Sequence, residues 1–177
     1  YSMECRALKG MASMANNGLP FSREALQGIE VDYQKDIENL GREFHLELDA
    51  ALPREAKLPR NEDGTFNLRA RESGSIRLGT KQYAGFNIGS PKQLLEKMTL
   101  ILGETPIDAK TQKPSASRTA LREYAGQHSV VATYLQWKKA EKRRQMVAAL
   151  LKHQSPDGFV RCSYWQLGAE TGRMTCS

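Results

Sequence analysis

A chain of 177 residues with 40% hydrophobic side chains and a net charge of +6 has apolar material for one domain, or for one and part of another. Its mean hydropathy of −0.58 and its lack of a long apolar run exclude a bilayer-spanning helix. The first residues show no basic flank before an apolar stretch, so no signal peptide is read. Cys5, Cys162 and Cys176 form no Cys-x-x-Cys pair, and His45, His128 and His153 stand apart. That excludes a disulfide framework and a zinc site of usual spacing, and fits a reducing cytoplasm. The start at Tyr1 and the stop at Ser177 lead us to expect a piece cut from a longer protein.

In chain order, Met3, Ala7, Met11 and Met14 recur at helical spacing up to Asn17. Asn17-Gly18 is a left-handed stop, and Leu19-Pro20-Phe21 turns the chain. Ser22 is placed to cap a long helix from Ser22 to Leu52, with Leu26, Ile29, Tyr33, Ile37, Leu40, Phe44, Leu48 and Ala51 on one face. Nine acids against four bases between Ser22 and Glu55 make this region net −5. Such a helix is a packing element rather than a DNA surface. A coiled-coil dimer is the alternative, with Gly28 and Gly41 counting against a free-standing rod.

Pro53 to Gly85 is rich in turn signals: Pro53, Pro59, Asn61-Glu62-Asp63-Gly64 and Ser73-Gly74. Phe66, Leu68 and Ala70 alternate, followed by Ile76 and Leu78, so a hairpin or a mobile insertion is expected. Phe86 to Leu94 leads into a helix ending at Leu102, with Ser90 as cap, Pro91 at its first position and Gly103 as stop. The start of that helix is either a phosphate site or a plain cap. Thr105 to Ser117 is a polar loop whose lysines and hydroxyls suit phosphate oxygens. Ser117 then caps a short helix that ends near Ala125-Gly126.

A helix from Ser129 to Lys152 follows, with Val130, Val131, Tyr134, Trp137, Ala140, Val147, Leu150 and Leu151 inward. Lys138 and Lys142 share one outer face, and Lys139 and Arg143 another. Between Lys110 and Lys152 the net charge is +8, more than that of the whole chain. A one-signed face of this kind fits a polyanion, or is a solvated surface. After the turn Pro156-Asp157-Gly158, Phe159 to Gln166 is read as one extended strand, frayed for want of a sheet.

Three of these stretches resemble the DNA polymerase I (A-family) DNA polymerases. Phe86-Asn87-Ile88-Gly89-Ser90-Pro91-Lys92-Gln93-Leu94 looks like the family's F-N-x-x-S-x-x-Q-L. Lys113-Pro114-Ser115-Ala116-Ser117, with Leu121 and His128 beyond, looks like its thumb-tip K-x-S-x-S segment. Thr171-Gly172-Arg173 looks like its T-G-R motif at the entrance to the palm.

The resemblance implies a mainly α fold: long antiparallel thumb helices with a small tip subdomain, plus the first strand of an α/β palm. It implies a thumb over residues 1–157, with 53–85 as an insertion or hairpin at its tip, and a truncated palm over 158–177. By the same resemblance Asn87, Ser90, Lys113, Ser115, Ser117, Lys138 and Lys142 hold DNA backbone. Thr171 belongs with them, and Arg173 reaches the minor groove near the primer end. The partners implied are primer–template DNA and, for the complete enzyme, dNTPs and Mg²⁺. A cytoplasmic monomer with no membrane contact is expected. The family's D-Y-S and H-D-E motifs and the lysine and tyrosine that bind the incoming nucleotide do not occur in this sequence, so catalytic and metal residues are expected outside it. Trp165, Thr175, Cys176 and Pro91 depart from the family pattern and, with the insertion, lean toward a phage or viral member. The competing expectation is a stand-alone helical nucleic-acid-binding or scaffolding module without catalysis.

Overall fold

The computed structural model describes residues 10, 12–66, 86–165 and 175–176. The architecture is mainly helical, as expected. Residues 12–17 are helical (α1) and are followed by strand β1 (Leu19–Pro20) and helix α2 (Arg23–Ala51). Helix α3 is Pro91–Leu102, and α4 is Arg118–Leu121, which continues as a 3₁₀ turn over Arg122–Gly126. Helix α5 is Ser129–His153, and strands β2 (Phe159–Val160), β3 (Tyr164–Trp165) and β4 (Thr175–Cys176) follow. The chain divides into two compact units, Asp36–Ala140 and Tyr1–Lys35 with Glu141–Ser177.

In the unit Asp36–Ala140 an apolar core is built from every helix that enters it. Phe44, Leu48, Leu94, Met98, Leu121 and Val131 are wholly buried. Here α2 and α5 run antiparallel, with the Phe44 and Tyr134 rings 5.6 Å apart and Gly41 opposite Trp137. A Cβ on Gly41 would lie 3.6 Å from the Trp137 ring nitrogen, an ordinary contact, so the glycine costs helix propensity without being needed for space. The anticipated stripe of α2 extends further than expected. His45 and Asp49 are buried beside Phe44 and Leu48, whereas Ala51 is exposed.

Each of those polar groups is satisfied. Asp49 accepts from the Leu58 N–H at 2.9 Å and from Arg60 at 2.8 Å, and Lys57 donates to the Asp49 carbonyl. Burial alone would raise the Asp49 pKa, but the Leu58 N–H and Arg60 outweigh it and hold the carboxyl below its usual value. The connection after α2 is thereby folded back onto the helix that precedes it. His45 donates through its Nδ1–H to the Gly41 carbonyl within its own helix. Around it stand Phe44, Phe66 and Phe86, with ring centroids 5.7, 6.3 and 5.7 Å away.

The turn signals of residues 53–66 hold. Asn61 donates through its N–H to the Thr65 carbonyl, Gly64 takes φ 83°, and Arg60 bridges Phe66 across the turn. The alternating stretches further on, with Arg69, Arg71, Arg77 and Lys81, lie outside the described residues.

The other unit is stitched differently. Leu19–Pro20 and Phe159–Val160 pair antiparallel, so the expected lone frayed strand is corrected: its backbone is paired, and the expected turn at Leu19 is its partner strand. The extended run is also broken at residues 161–163, and Tyr164–Trp165 pairs instead with Thr175–Cys176. Gln154 donates to the Phe21 and Gly158 carbonyls, and Arg161 to the Asn16 carbonyl at 2.9 Å. Gly18 fulfils the predicted left-handed stop at φ 68°. A Cβ there would lie 2.8 Å from the Arg161 side chain and 2.9 Å from the Val160 carbonyl, so the close approach of Gly18 to this stretch needs glycine. On α2 in this unit Leu26 is buried, but Ile29, expected inward, is 44% exposed. The N-terminal helical stripe at Met3, Ala7 and Met11 lies outside the described residues.

Candidate nucleic-acid interface

Two loops in the unit Asp36–Ala140 carry most of the anticipated site, and one core anchors both. Phe86 precedes Asn87, Ala116 separates Ser115 from Ser117, and both Phe86 and Ala116 are buried in the apolar cluster. The half-buried polar groups beside them are therefore mounted on residues that cannot move without opening the core.

In the first loop Asn87 closes a tight turn. Its Oδ1 accepts from the Gly89 N–H at 2.8 Å, and its own N–H donates to Gln93 Oε1 at 2.8 Å. The Ser90 carbonyl accepts from Leu94 N–H and begins α3, with Pro91 at the first position. The expected side-chain cap is absent: Ser90 makes no capping hydrogen bond, and Gln93 reaches back to the Asn87 N–H. Its hydroxyl has no partner among the described residues. At the far end Gly103 takes φ 75° and donates to the Thr99 carbonyl, the left-handed stop the sequence predicts.

The second loop is more ordered than a polar loop requires. Ile107 and Pro114 bridge across it, and Asp108 folds the residues between into a turn. Asp108 Oδ1 accepts from the N–H groups of Lys110 and Thr111 at 3.0 and 3.2 Å. Its Oδ2 accepts from the hydroxyls of Ser117 and Thr119, each at 2.7 Å. These hydroxyls first, then the two N–H groups, hold the Asp108 carboxyl well below the usual carboxylate range. Ser117 caps α4 as expected, accepting from the Ala120 N–H at 3.2 Å. Ser115 accepts from the Ser117 N–H at 3.1 Å. Lys110 and Lys113 are exposed and form no ion pair among the described residues.

Lys138 departs from the expected free outer face. Its ammonium, part-buried, reaches the Ala116 carbonyl at 3.4 Å and the Tyr134 hydroxyl at 3.3 Å. Burial lowers its pKa, and burial also pushes the Tyr134 phenol up to about 12. The helix thus holds the Ser115–Ser117 loop from behind. Lys139, described with the same unit, is exposed.

In the other unit Lys142 and Arg143 are exposed, while Arg144 is held by Glu141 at 3.2 Å. Thr171 and Arg173 lie outside the described residues. Sequence reasoning did not single out Asp108 or Thr119. The available signal was an aspartate two and three residues before Lys110 and Thr111, the spacing at which a carboxylate collects its neighbours' N–H groups.

The model of DNA polymerase family A matches residues 70–177. The chain belongs to DNA polymerase family A. A DNA polymerase I from Treponema pallidum (strain Nichols) is 33% identical over 91 residues, which is 51% of this chain and 9% of that protein. The POL domain of Pol1 from M. smegmatis, solved in complex with DNA primer-template and dNTP, superposes with a TM-score of 0.68 at 19% identity. That superposition covers 98% of this chain and 25% of the solved one. The family A chain therefore spans a small part of the length of these relatives, and its fold is that of a segment of a polymerase domain.

Among the described residues no three His, Cys, Asp or Glu side chains gather as a metal-binding group. No helix among them is long and apolar enough to cross a membrane.

Proposed function

We propose that this chain is the duplex-gripping segment of a template-directed DNA polymerase, with residues 1–157 as thumb and 158–177 as the start of the palm. The observation that carries the proposal is the pair of polar loops on one core. Asn87 and Ser90, and Lys113 and Ser115, offer hydrogen-bond donors and positive charge on backbone that is already fixed. A polymerase must hold every sequence alike, so its grip belongs on phosphates. Ser117 orders the second loop. Lys138 spends two of its three N–H hydrogens on the protein and has one left for a phosphate oxygen. Lys142 adds charge on α5, and Thr171 and Arg173 follow toward the primer end. In the complete enzyme the partners are primer–template DNA and dNTPs, with Mg²⁺ held by residues outside this chain.

The test is equilibrium binding of primed duplex to the complete protein across a salt series. Lys113→Ala and Lys142→Ala should each weaken binding for all sequences and reduce the slope of log K against log salt by about one. Unchanged slopes in both variants, or no binding of primed duplex by the unaltered protein, would remove the proposal. Arg173→Ala should lower primer extension more than it lowers duplex binding.

A further inference from the structure

The loop that offers Ser115 and Lys113 contains a carboxylate, which is an odd group to place near a phosphate. Asp108 lies within five residues of Lys110 and Lys113 in sequence, yet forms no ion pair with them among the described residues. It takes neutral donors instead: two backbone N–H groups on one oxygen and two hydroxyls on the other. Its main chain is engaged too, for Asp108 N–H donates to the Lys113 carbonyl at 3.0 Å and its carbonyl accepts from Gln112 N–H at 2.8 Å. Gln112 is held at φ 53°, a left-handed conformation that a non-glycine residue adopts at a cost, so the turn is imposed by its bonds.

Proton counting then sorts the hydroxyls. Ser117 has one O–H hydrogen and Thr119 has one; each oxygen lies 2.7 Å from Asp108 Oδ2 and the two lie 2.9 Å from each other, so whichever donates to which, both hydrogens stay within this cluster. Ser115 accepts from the Ser117 N–H, and its own hydrogen has no acceptor among the described residues. The backbone between Ser115 and Ser117 is clamped at both ends, by Lys138 on the Ala116 carbonyl and by Asp108 on Ser117.

We infer that Asp108 is a positioning residue for the DNA grip: it commits Ser117 and Thr119 to the loop and leaves the Ser115 hydroxyl, with Lys113, to meet the phosphate. The inference rests on the duplex-gripping function proposed above. It makes Ser117 a brace and Ser115 a contact, where the pattern K-x-S-x-S treats the two serines alike. It also gives the choice of neutral donors a reason, since a carboxylate already filled by hydroxyls and N–H groups leaves the Lys110 and Lys113 ammonium groups out of an ion pair with it.

Charge and positioning predict opposite signs, which makes the inference testable. By charge alone, D108N removes a negative group beside DNA and should tighten binding. As a positioning residue, its replacement frees Ser117 and Thr119 and loosens the loop, so binding should weaken. The experiment measures equilibrium binding of labelled primed duplex to the complete polymerase and to its D108N, D108A, S115A and T119V variants, across the same salt series. We expect D108N and D108A to bind about three- to tenfold more weakly, with the salt slope of the unaltered protein. T119V should shift in the same direction by less, because Ser117 still donates. S115A should weaken binding on its own, and should weaken it further in no more than a small degree once D108N has released the loop. Hydrogen exchange reads the brace without DNA: the Lys110 and Thr111 amides should lose protection in D108N while α2 and α5 keep theirs. Binding by D108N equal to or tighter than that of the unaltered protein overturns the inference, as does an S115A variant that binds normally. If the unaltered polymerase fails to bind primed duplex, the parent proposal falls first, and the amide exchange still reports whether Asp108 orders the turn.

Discussion

The two compact units are held by different forces. Asp36–Ala140 closes over wholly buried apolar side chains such as Phe44, Leu94 and Met98. In the other unit the described residues bury Leu26 and Val147 but join distant parts of the chain mainly through hydrogen bonds. There β1 pairs with β2, Gln154 reaches the Phe21 carbonyl and Arg161 reaches the Asn16 carbonyl. Apolar burial is non-directional and scales with area, so it tolerates small shifts. Hydrogen bonds across a close backbone approach do not. The loops proposed to hold DNA are mounted on the unit with the apolar core, where a fixed backbone is worth most.

The sharpest way to break this contrast is to remove core volume. Phe44→Ala should destabilise the protein by about 3–5 kcal/mol, because a wholly buried ring leaves a cavity that its helix cannot fill. Denaturant unfolding monitored by far-UV circular dichroism measures it, and a loss below about 1 kcal/mol would show that the core is not what holds this unit. The matching change in the other unit is Gly18→Ala. It imposes φ 68° on an alanine and brings its Cβ within 2.8 Å of Arg161, so a cost of about 1–3 kcal/mol is expected. Hydrogen exchange should localise the loss to residues around β1 and β2, and a global loss of protection would contradict it.

A pH titration separates the units by a milder effect. His45 has its pKa lowered by burial, partly offset by its bond to the Gly41 carbonyl. Below its unfolded value of about 6.5 the unfolded chain binds a proton that the folded chain resists, so stability is full above that pH and falls as pH drops toward the folded pKa. His45→Phe should flatten this dependence between about pH 7 and 5, and an unaltered slope would assign it elsewhere. The smallest effect is expected at Gly28, where an added Cβ meets nothing within 4 Å on an exposed helix face. Gly28→Ala should stabilise by up to about 1 kcal/mol through helix propensity alone, read as a small rise in melting temperature.

How far the sequence reached follows from the range of each interaction. Helix α3 was legible from Pro91 to its stop at Gly103, and α5 was legible within one residue, because periodicity and caps are local. Ser117 was recognised as a cap for the same reason. The lone strand at Phe159 was misread because its partner, Leu19–Pro20, lies at the other end of the chain. In the candidate interface the residue types at Asn87, Ser90, Lys113 and Ser115 were visible. The division of labour between the two serines was not, since it depends on which hydroxyl finds Asp108.

By itself, then, the sequence determined the mainly helical fold, the positions of the long helices and the family, because these are written in spacing and in ordered motifs. Tertiary structure alone decided that His45 is buried among three aromatic rings, that Lys138 braces a loop, and that Leu19–Pro20 and Phe159–Val160 share a small sheet. Those outcomes turn on where a side chain's donor or acceptor meets a group far away in sequence, and no local pattern encodes that distance.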